Sequence, residues 1–173
     1  MMSIRTFSAA DIAERLPELS ALLHACVHDG ASIGFILPFE RSASDRFWLH
    51  NVLPAVERGV RLLLVAEIDG QIAGSVQLDW DTPPNQAHRA EVRKLLVGPA
   101  FRRRGLARQL MVQLEVQVRR LPCRLLTLDT RSGDHAQPLY ASLGYQVAGS
   151  IPAYALAPAC DSLDATTIMY KQL

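Results

Sequence analysis

The stretch Leu96–Leu110, LVGPAFRRRGLARQL, carries the densest chemical signal in the chain. An apolar run ends, Gly98-Pro99 turns the backbone, three arginines follow, and Gly105 opens a helical pattern. The first amides of a helix lack intrahelical acceptors and sit at the positive end of its dipole, so they form a ready site for an anion. Gly105 and Ala107 keep side-chain bulk away from the point where a diphosphate would approach the backbone, and Arg102, Arg103 and Arg104 add positive charge at the same end. Those arginines oppose the local dipole, so placing them at a helix start conflicts with helix stability unless an anion binds there. Neither GxxxxGK[ST] nor GxGxxG occurs, which excludes a Walker-type nucleotide site and disfavours a dinucleotide fold.

The chain has 173 residues, 49% hydrophobic and 20% charged, the composition of one globular domain spanning 1–173. Lysine and arginine number 18 against 17 acidic residues, a net +1 that by itself calls for no polyanionic partner. The distribution is more informative. Between Arg89 and Arg124 ten basic residues stand against two acidic ones, a net +8, leaving the remainder of the chain at −7. Such a field suits a compact phosphorylated cofactor; it would also suit a nucleic acid. Cys26, Cys123 and Cys160 are an odd number without CxxC spacing, which argues against a disulfide scaffold and a cysteine zinc site. The five histidines show no HxH or HExxH spacing, so no metal is expected, and serine nucleophile chemistry lacks its GxSxG. Apolar runs such as Leu62–Ala66 fall far short of the roughly 20 residues of a membrane span, and the first residues show no secretory pattern. The expectation is a reduced, cytoplasmic protein without a membrane partner.

Several elements must position this site. Ile4–Phe7 reads as a strand and Ser8 as the N-cap of a helical pattern, Ile12, Leu16, Leu19, Leu22 and Leu23, that Pro17 kinks or splits. A second helix is expected from near Ser42 or Ser44 to Gly59, with Pro54 disturbing its last turn. Arg61–Ile68 and Ile72–Trp80 flank Asp69-Gly70-Gln71 as a hairpin, with Ile72, Gly74, Val76, Leu78 and Trp80 on one face. Arg89–Val97 is a strand, Gly105–Arg120 an amphipathic helix through Leu106, Leu110, Leu114 and Val118, and Arg124–Thr130 a further strand. Asp134–Leu143 follows as a short helix made irregular by Pro138, and Tyr145–Ala148 and Ala165–Tyr170 close the series as strands. The order describes an α/β protein with a mixed sheet and a right-handed parallel crossover.

Arg102-Arg103-Arg104-Gly105-Leu106-Ala107 resembles the R/Q-x-x-G-x-G/A signature of the GNAT acetyltransferase superfamily, and Ala136–Tyr145 (AQPLYASLGY) resembles that family's last motif. The resemblance runs from about Arg61 to Tyr170. GASIGF (Gly30–Phe35), AEVRKL (Ala90–Leu95), LTLDT (Leu126–Thr130) and the tail around Ile151–Tyr170 look, more narrowly, like tabtoxin-resistance acetyltransferases. The resemblance implies an α/β fold with a mixed, mostly antiparallel sheet, a splayed parallel strand pair and flanking helices. It implies acetyl-CoA as co-substrate, with pantetheine in the splay against backbone near Leu96 and Val97. The diphosphate then meets amides from about Arg102 through Arg103, Arg104, Gly105 and Leu106 to Ala107, and Tyr140 lies beside the cofactor sulfur as the natural general acid.

The implied activity is direct acetyl transfer to a primary amine of a small molecule: an amino acid, an antimetabolite or a related amine. A protonated amine must lose a proton to attack, and Glu91 and Asp129, each an acid in an apolar or basic strand, are the candidate bases. Burial or mutual repulsion would raise one pKa toward the working range, while pairing of Glu91 with Arg89 or Arg93, or capping by Asp129, would leave them structural. A backbone amide near Val97 is the expected oxyanion donor. The family's frequent Asn before the last helix is replaced here by Gly133-Asp134, and an acid beside an anionic cofactor is unexpected unless it caps the helix and faces away. The acceptor cleft is expected from the N-terminal helices, Gly30–Phe35 and Asp81–His88, with Asp29, Glu40, Asp79 and Asp81 supplying negative charge. A catalytically silent acyl-CoA-binding module and a basic nucleic-acid-binding regulator are the alternatives; no nucleic-acid partner is expected on the leading reading, and an exposed final strand would allow a homodimer.

Overall fold

The structure is a computed structural model describing residues 1–173. Seven strands form one sheet: β1 Met2–Phe7, β2 Arg61–Ile68, β3 Gln71–Asp79, β4 Arg89–Val97, β5 Leu125–Arg131, β6 Gln146–Leu156 and β7 Leu163–Gln172, ordered β1-β2-β3-β4-β5-β7-β6. Every neighbouring pair is antiparallel except β4 and β5. Helices α1 (Ala9–Glu14), α2 (Leu16–His28), α3 (Arg41–Phe47) and α4 (Leu53–Glu57) contribute to one apolar cluster, around Trp48, Leu19, Leu63 and Val65. On the other sheet face lie α5 (Leu106–Val118) and α6 (Ala136–Ser142), with Leu106, Leu110, Leu114 and Val118 all buried against Leu64, Val76 and Leu126.

Local chemistry explains the beginnings and breaks. Ser8 accepts from the Asp11 amide while the Asp11 carboxylate accepts from the Ser8 amide, a capping box that starts α1. Pro17 falls in the first turn of α2, so the chain splits into two helices at Arg15. The second expected helix starts earlier than Ser42, at Arg41, and passes through a π-helical turn, Trp48–Val52, before α4. There the Leu53 amide reaches back to the Trp48 carbonyl, a widened register just ahead of Pro54, which has no amide to donate. Asp69 and Gly70 both take positive φ (48° and 81°), as a two-residue hairpin turn following the right-handed twist of its strands requires.

Irregular pairing alters the expected strand faces and lengths. Ala66 pairs with Gly74 but Glu67 pairs with Ile72, so β3 carries an extra residue and Ile72 crosses to the α1–α4 cluster, away from Val76 and Leu78. Strand β6 is also far longer than Tyr145–Ala148: irregularities after Val147 and Ile151, with Ala153 at φ 49°, carry the pairing with β7 past Gly149 and Pro152. The expected strand stopped at Ala148; the observed one runs on through Gly149 and Pro152 by irregular pairing on the sheet's outer edge.

Candidate active site

The site begins at a bulge in β4. Ser75 pairs with Leu96 and Gln77 with Arg93, so one residue of β3, Val76, stands opposite two of β4, and Lys94 at φ 51° makes the kink. Gly74 permits it: a Cβ there would lie 2.6 Å from the Leu96 carbonyl oxygen. Beyond the bulge β4 parts from β5. The parallel pairing covers only Arg89–Leu125, Ala90–Leu126 and Glu91–Thr127, and a cleft opens where the strands diverge.

One half of the cleft, about 650 Å³, runs beside Leu95, Leu96 and Val97 to Arg102, Arg103 and the first turn of α5. Gly105, the N-cap of α5, is left-handed (φ 75°), as is Arg103 (φ 62°), and no side chain caps the helix. Alternating handedness of this kind turns successive amides toward a common concavity. The amides of Arg102 through Arg108 donate to no protein acceptor; the first bonded amide in this region is Gln109, to Gly105. Seven expected cofactor contacts, Leu96, Val97, Arg102, Arg103, Gly105, Leu106 and Ala107, line this half. The Arg104 guanidinium instead turns onto the Phe101 ring, 5.8 Å from its centroid. Arg102 forms an ion pair with Asp29 and bonds the Val97 carbonyl at 3.4 Å, so its charge is shared with protein. The Cys26 thiol, 3.6 Å from the same carbonyl, is buried, and burial pushes it up to about 11.

The other half, about 430 Å³, joins the first at Ala31, Leu95, Arg131, Asp134 and Ala136. Glu91, Asp129 and Tyr140 all line it. Pro138 sits in the first turn of α6, where no amide is called on, so the helix presenting Tyr140 is regular. The Tyr140 ring packs 5.9 Å from Tyr145, and burial, reinforced by the charges of Asp134 and Asp129, pushes its phenol well above the ordinary range. The Glu91 carboxylate stands 3.9 Å from Arg93, the pairing weighed from sequence. Asp129 accepts from the Thr166 hydroxyl at 3.5 Å and has no cationic partner. Asp134 faces the cleft rather than away from it; Arg131, 3.3 Å distant, offsets its charge.

The acceptor half differs from its expected walls. Ala31, Ser32, Ile33 and Gly34 line it, but Asp81–His88 does not. Asp79 is buried against Arg61 at 2.5 Å, Asp81 pairs with Arg58 outside, Glu40 precedes α3 away from the cavity with no side-chain cap bond, and Asp29 belongs to the first half. Tyr154 and Asp164, on stretches of β6 and β7 beyond the expected strands, supply the far wall with Thr166. Lys94 entered the sequence reading only as one charge of the Arg89–Arg124 window, and Arg131 lay outside that window.

The Acetyltransferase (GNAT) family model matches residues 27–145. An uncharacterized N-acetyltransferase in the hisH-hisA intergenic region of Azospirillum brasilense is 39% identical over 114 residues, which span 65% of this chain and 66% of that protein, just under two thirds of its length. The crystal structure of a ribosomal-protein-alanine N-acetyltransferase from Brucella melitensis superposes with a TM-score of 0.81 at 22% identity, over 99% of both chains. The structure of yncA from Salmonella typhimurium with its cofactor acetyl-CoA does so with a TM-score of 0.80 at 23% identity, over 100% of this chain and 94% of that one. A splayed β4–β5 pair, an open ring of amides at the start of α5 and a family match across both have one meaning: the chain belongs to the GNAT family of acetyltransferases.

Proposed function

We propose that this chain is an N-acetyltransferase moving the acetyl group of acetyl-CoA directly to a primary amine of a small molecule. The observation that carries this reading is the run of unbonded amides from Arg102 to Arg108 at one end of a cleft whose other end holds Tyr140, Glu91 and Asp129. The diphosphate sits on those amides, and pantetheine follows Leu96 and Val97 through the splay. The ammonium of the acceptor gives one proton to a carboxylate or to water. The nitrogen lone pair then forms the C–N bond, the C–S bond breaks, and its electron pair leaves on sulfur. Tyr140 donates a hydrogen bond to that sulfur; the burial that keeps the phenol protonated makes it a donor rather than a full acid. The second nitrogen proton ends on the thiol. A covalent acetyl-enzyme is disfavoured, because the cleft's cysteine, Cys26, is buried and protonated at neutral pH.

The likeness to tabtoxin-resistance acetyltransferases supports an amino acid or an amino-bearing antimetabolite as acceptor. The three free cysteines suit a reducing, cytoplasmic setting. No helix is long and apolar enough to cross a membrane. The open edge of β6, with Val147, Ile151 and Tyr154 exposed, supports a homodimer. A nucleic-acid partner is disfavoured because the basic window is dispersed: Arg89 bonds Gln86 and Thr127, Arg93 pairs with Asp79, Arg102 with Asp29, and Arg108 bonds Ser142. Release of free thiol from acetyl-CoA in the presence of small amines, with the acetylated product identified by mass, tests the proposal. Acetyl-CoA binding without thiol release from any amine would reduce the chain to a silent binding module.

A further inference from the structure

The charges lining the acceptor half are mostly spent on one another. Arg131 serves Asp134 and Asp164 at 3.3 and 3.6 Å, and Arg93 serves Asp79 and Glu91 at 3.4 and 3.9 Å. Two ionic groups are left outside these pairs, one of each sign: the Asp129 carboxylate and the Lys94 ammonium. The Lys94 side chain is half-buried and forms neither a salt bridge nor a hydrogen bond within the protein. Its Nζ lies 5.7 Å from the Phe35 ring centroid and 6.0 Å from that of Phe47. Its backbone is held at φ 51° by the β4 bulge, a conformation that is costly for a residue with a Cβ and that persists here at the centre of the site. Burial and the neighbouring Arg93 lower its pKa, against the pull of Asp129 and Glu91, so the cation is poorly compensated where it stands.

An uncompensated cation and an uncompensated anion on the walls of one pocket are the complement of a zwitterion. We propose that the acceptor is a free amino acid whose carboxylate is held by Lys94 while its amino group is presented beside Asp129. This deepens the N-acetyltransferase reading and rests on it. Lys94 is then a specificity-determining residue, and the flanking rings strengthen the ion pair by excluding water.

The test is thiol release with acetyl-CoA and a panel of proteinogenic amino acids, each beside its decarboxylated amine and its methyl ester. The wild-type chain should favour the free amino acid by about 10- to 100-fold in kcat/KM, the range of a charge-assisted hydrogen bond in a sheltered site. Lys94→Met should erase that preference by raising acceptor KM for the free amino acid relative to the decarboxylated amine; Lys94→Arg should restore part of it. Equal turnover of amino acid and decarboxylated amine by the wild-type chain would overturn the proposal, as would a preference that survives Lys94→Met, or acetyl-CoA binding with no carboxylate-bearing acceptor turned over. Isothermal titration with acetyl-CoA separates the two readings. Absence of binding strikes the acetyltransferase reading itself, whereas binding and turnover confined to amines without a carboxylate strike only the zwitterion.

Discussion

Tyr140 combines near-complete burial with a hydroxyl on the acceptor half of the cleft. Its removal should therefore show in chemistry rather than in binding. Tyr140→Phe is expected to lower kcat about 100-fold, the effect of losing one preorganised donor, with acetyl-CoA affinity by calorimetry unchanged; equal losses in both would make the ring a packing residue. The same burial has a consequence for the fold. Tyr140 and Tyr145 both have phenols raised above the ordinary value, each chiefly by desolvation. An unfolded tyrosine ionises near pH 10 while the folded one keeps its proton, so the folded state binds more protons above that pH. The stability this contributes is full below about pH 10 and is lost as the pH rises further. Denaturant melts between pH 9 and 11 should show a fall that is shallower in Tyr145→Phe, whose wild-type hydroxyl meets no protein partner.

The bulge in β4 and the start of α5 are the two elements on which the site depends. Gly74 lets the bulge form, and Gly74→Ala would drive a methyl group into the Leu96 carbonyl at 2.6 Å and the Leu110 side chain at 3.3 Å. The strand must shift, so the variant is expected to lose about 1–3 kcal/mol of stability, together with acetyl-CoA affinity, read by denaturant titration and calorimetry. Gly105→Ala meets no such wall, since the nearest atom is Gln109 Nε2 at 3.7 Å, but it forces a Cβ into the left-handed region at φ 75°. A smaller cost of about 1–2 kcal/mol is expected, again with weaker cofactor binding because the amide ring is distorted. The signs of these elements in the sequence differ. Gly105 stands in a run of arginines and a helical repeat, and is readable. Lys94 stands in KLLV, which looks like an uninterrupted strand, and a bulge set by a lysine gives no turn signal.

For the molecule as a whole, the sheet is one piece from β1 to β6, and the cleft lies at its only parallel seam. A ligand filling the seam bridges α5, β4 and the end of α2, elements that otherwise meet there through pairs such as Arg102–Asp29. Acetyl-CoA at 100 times its Kd should add about 2.7 kcal/mol to the stability of the native state. For a chain of this length that corresponds to a rise in Tm of about 5–10 °C, measurable by differential scanning fluorimetry. A Tm unmoved by saturating acetyl-CoA would remove the cofactor from the seam.

Much of this protein was written in short-range pattern. The hairpin at Asp69-Gly70, the capped start of α1, the repeat of Leu106, Leu110, Leu114 and Val118, and the arginine-flanked helix start each depend on residues a few positions apart, where backbone geometry and side-chain period decide the outcome. Glu91, Asp129 and Tyr140 were legible as chemistry, and the fold brings all three to one cavity. Which of their charges stay free was not legible. Arg102 meets Asp29 across 73 positions and Arg131 meets Asp164 on the adjacent strand β7, while Lys94 and Asp129 are left over. Ion pairing falls off over a few ångströms, so it is set by distances that only the closed sheet creates, and which charges stay unpaired in this cavity is a property of the tertiary structure.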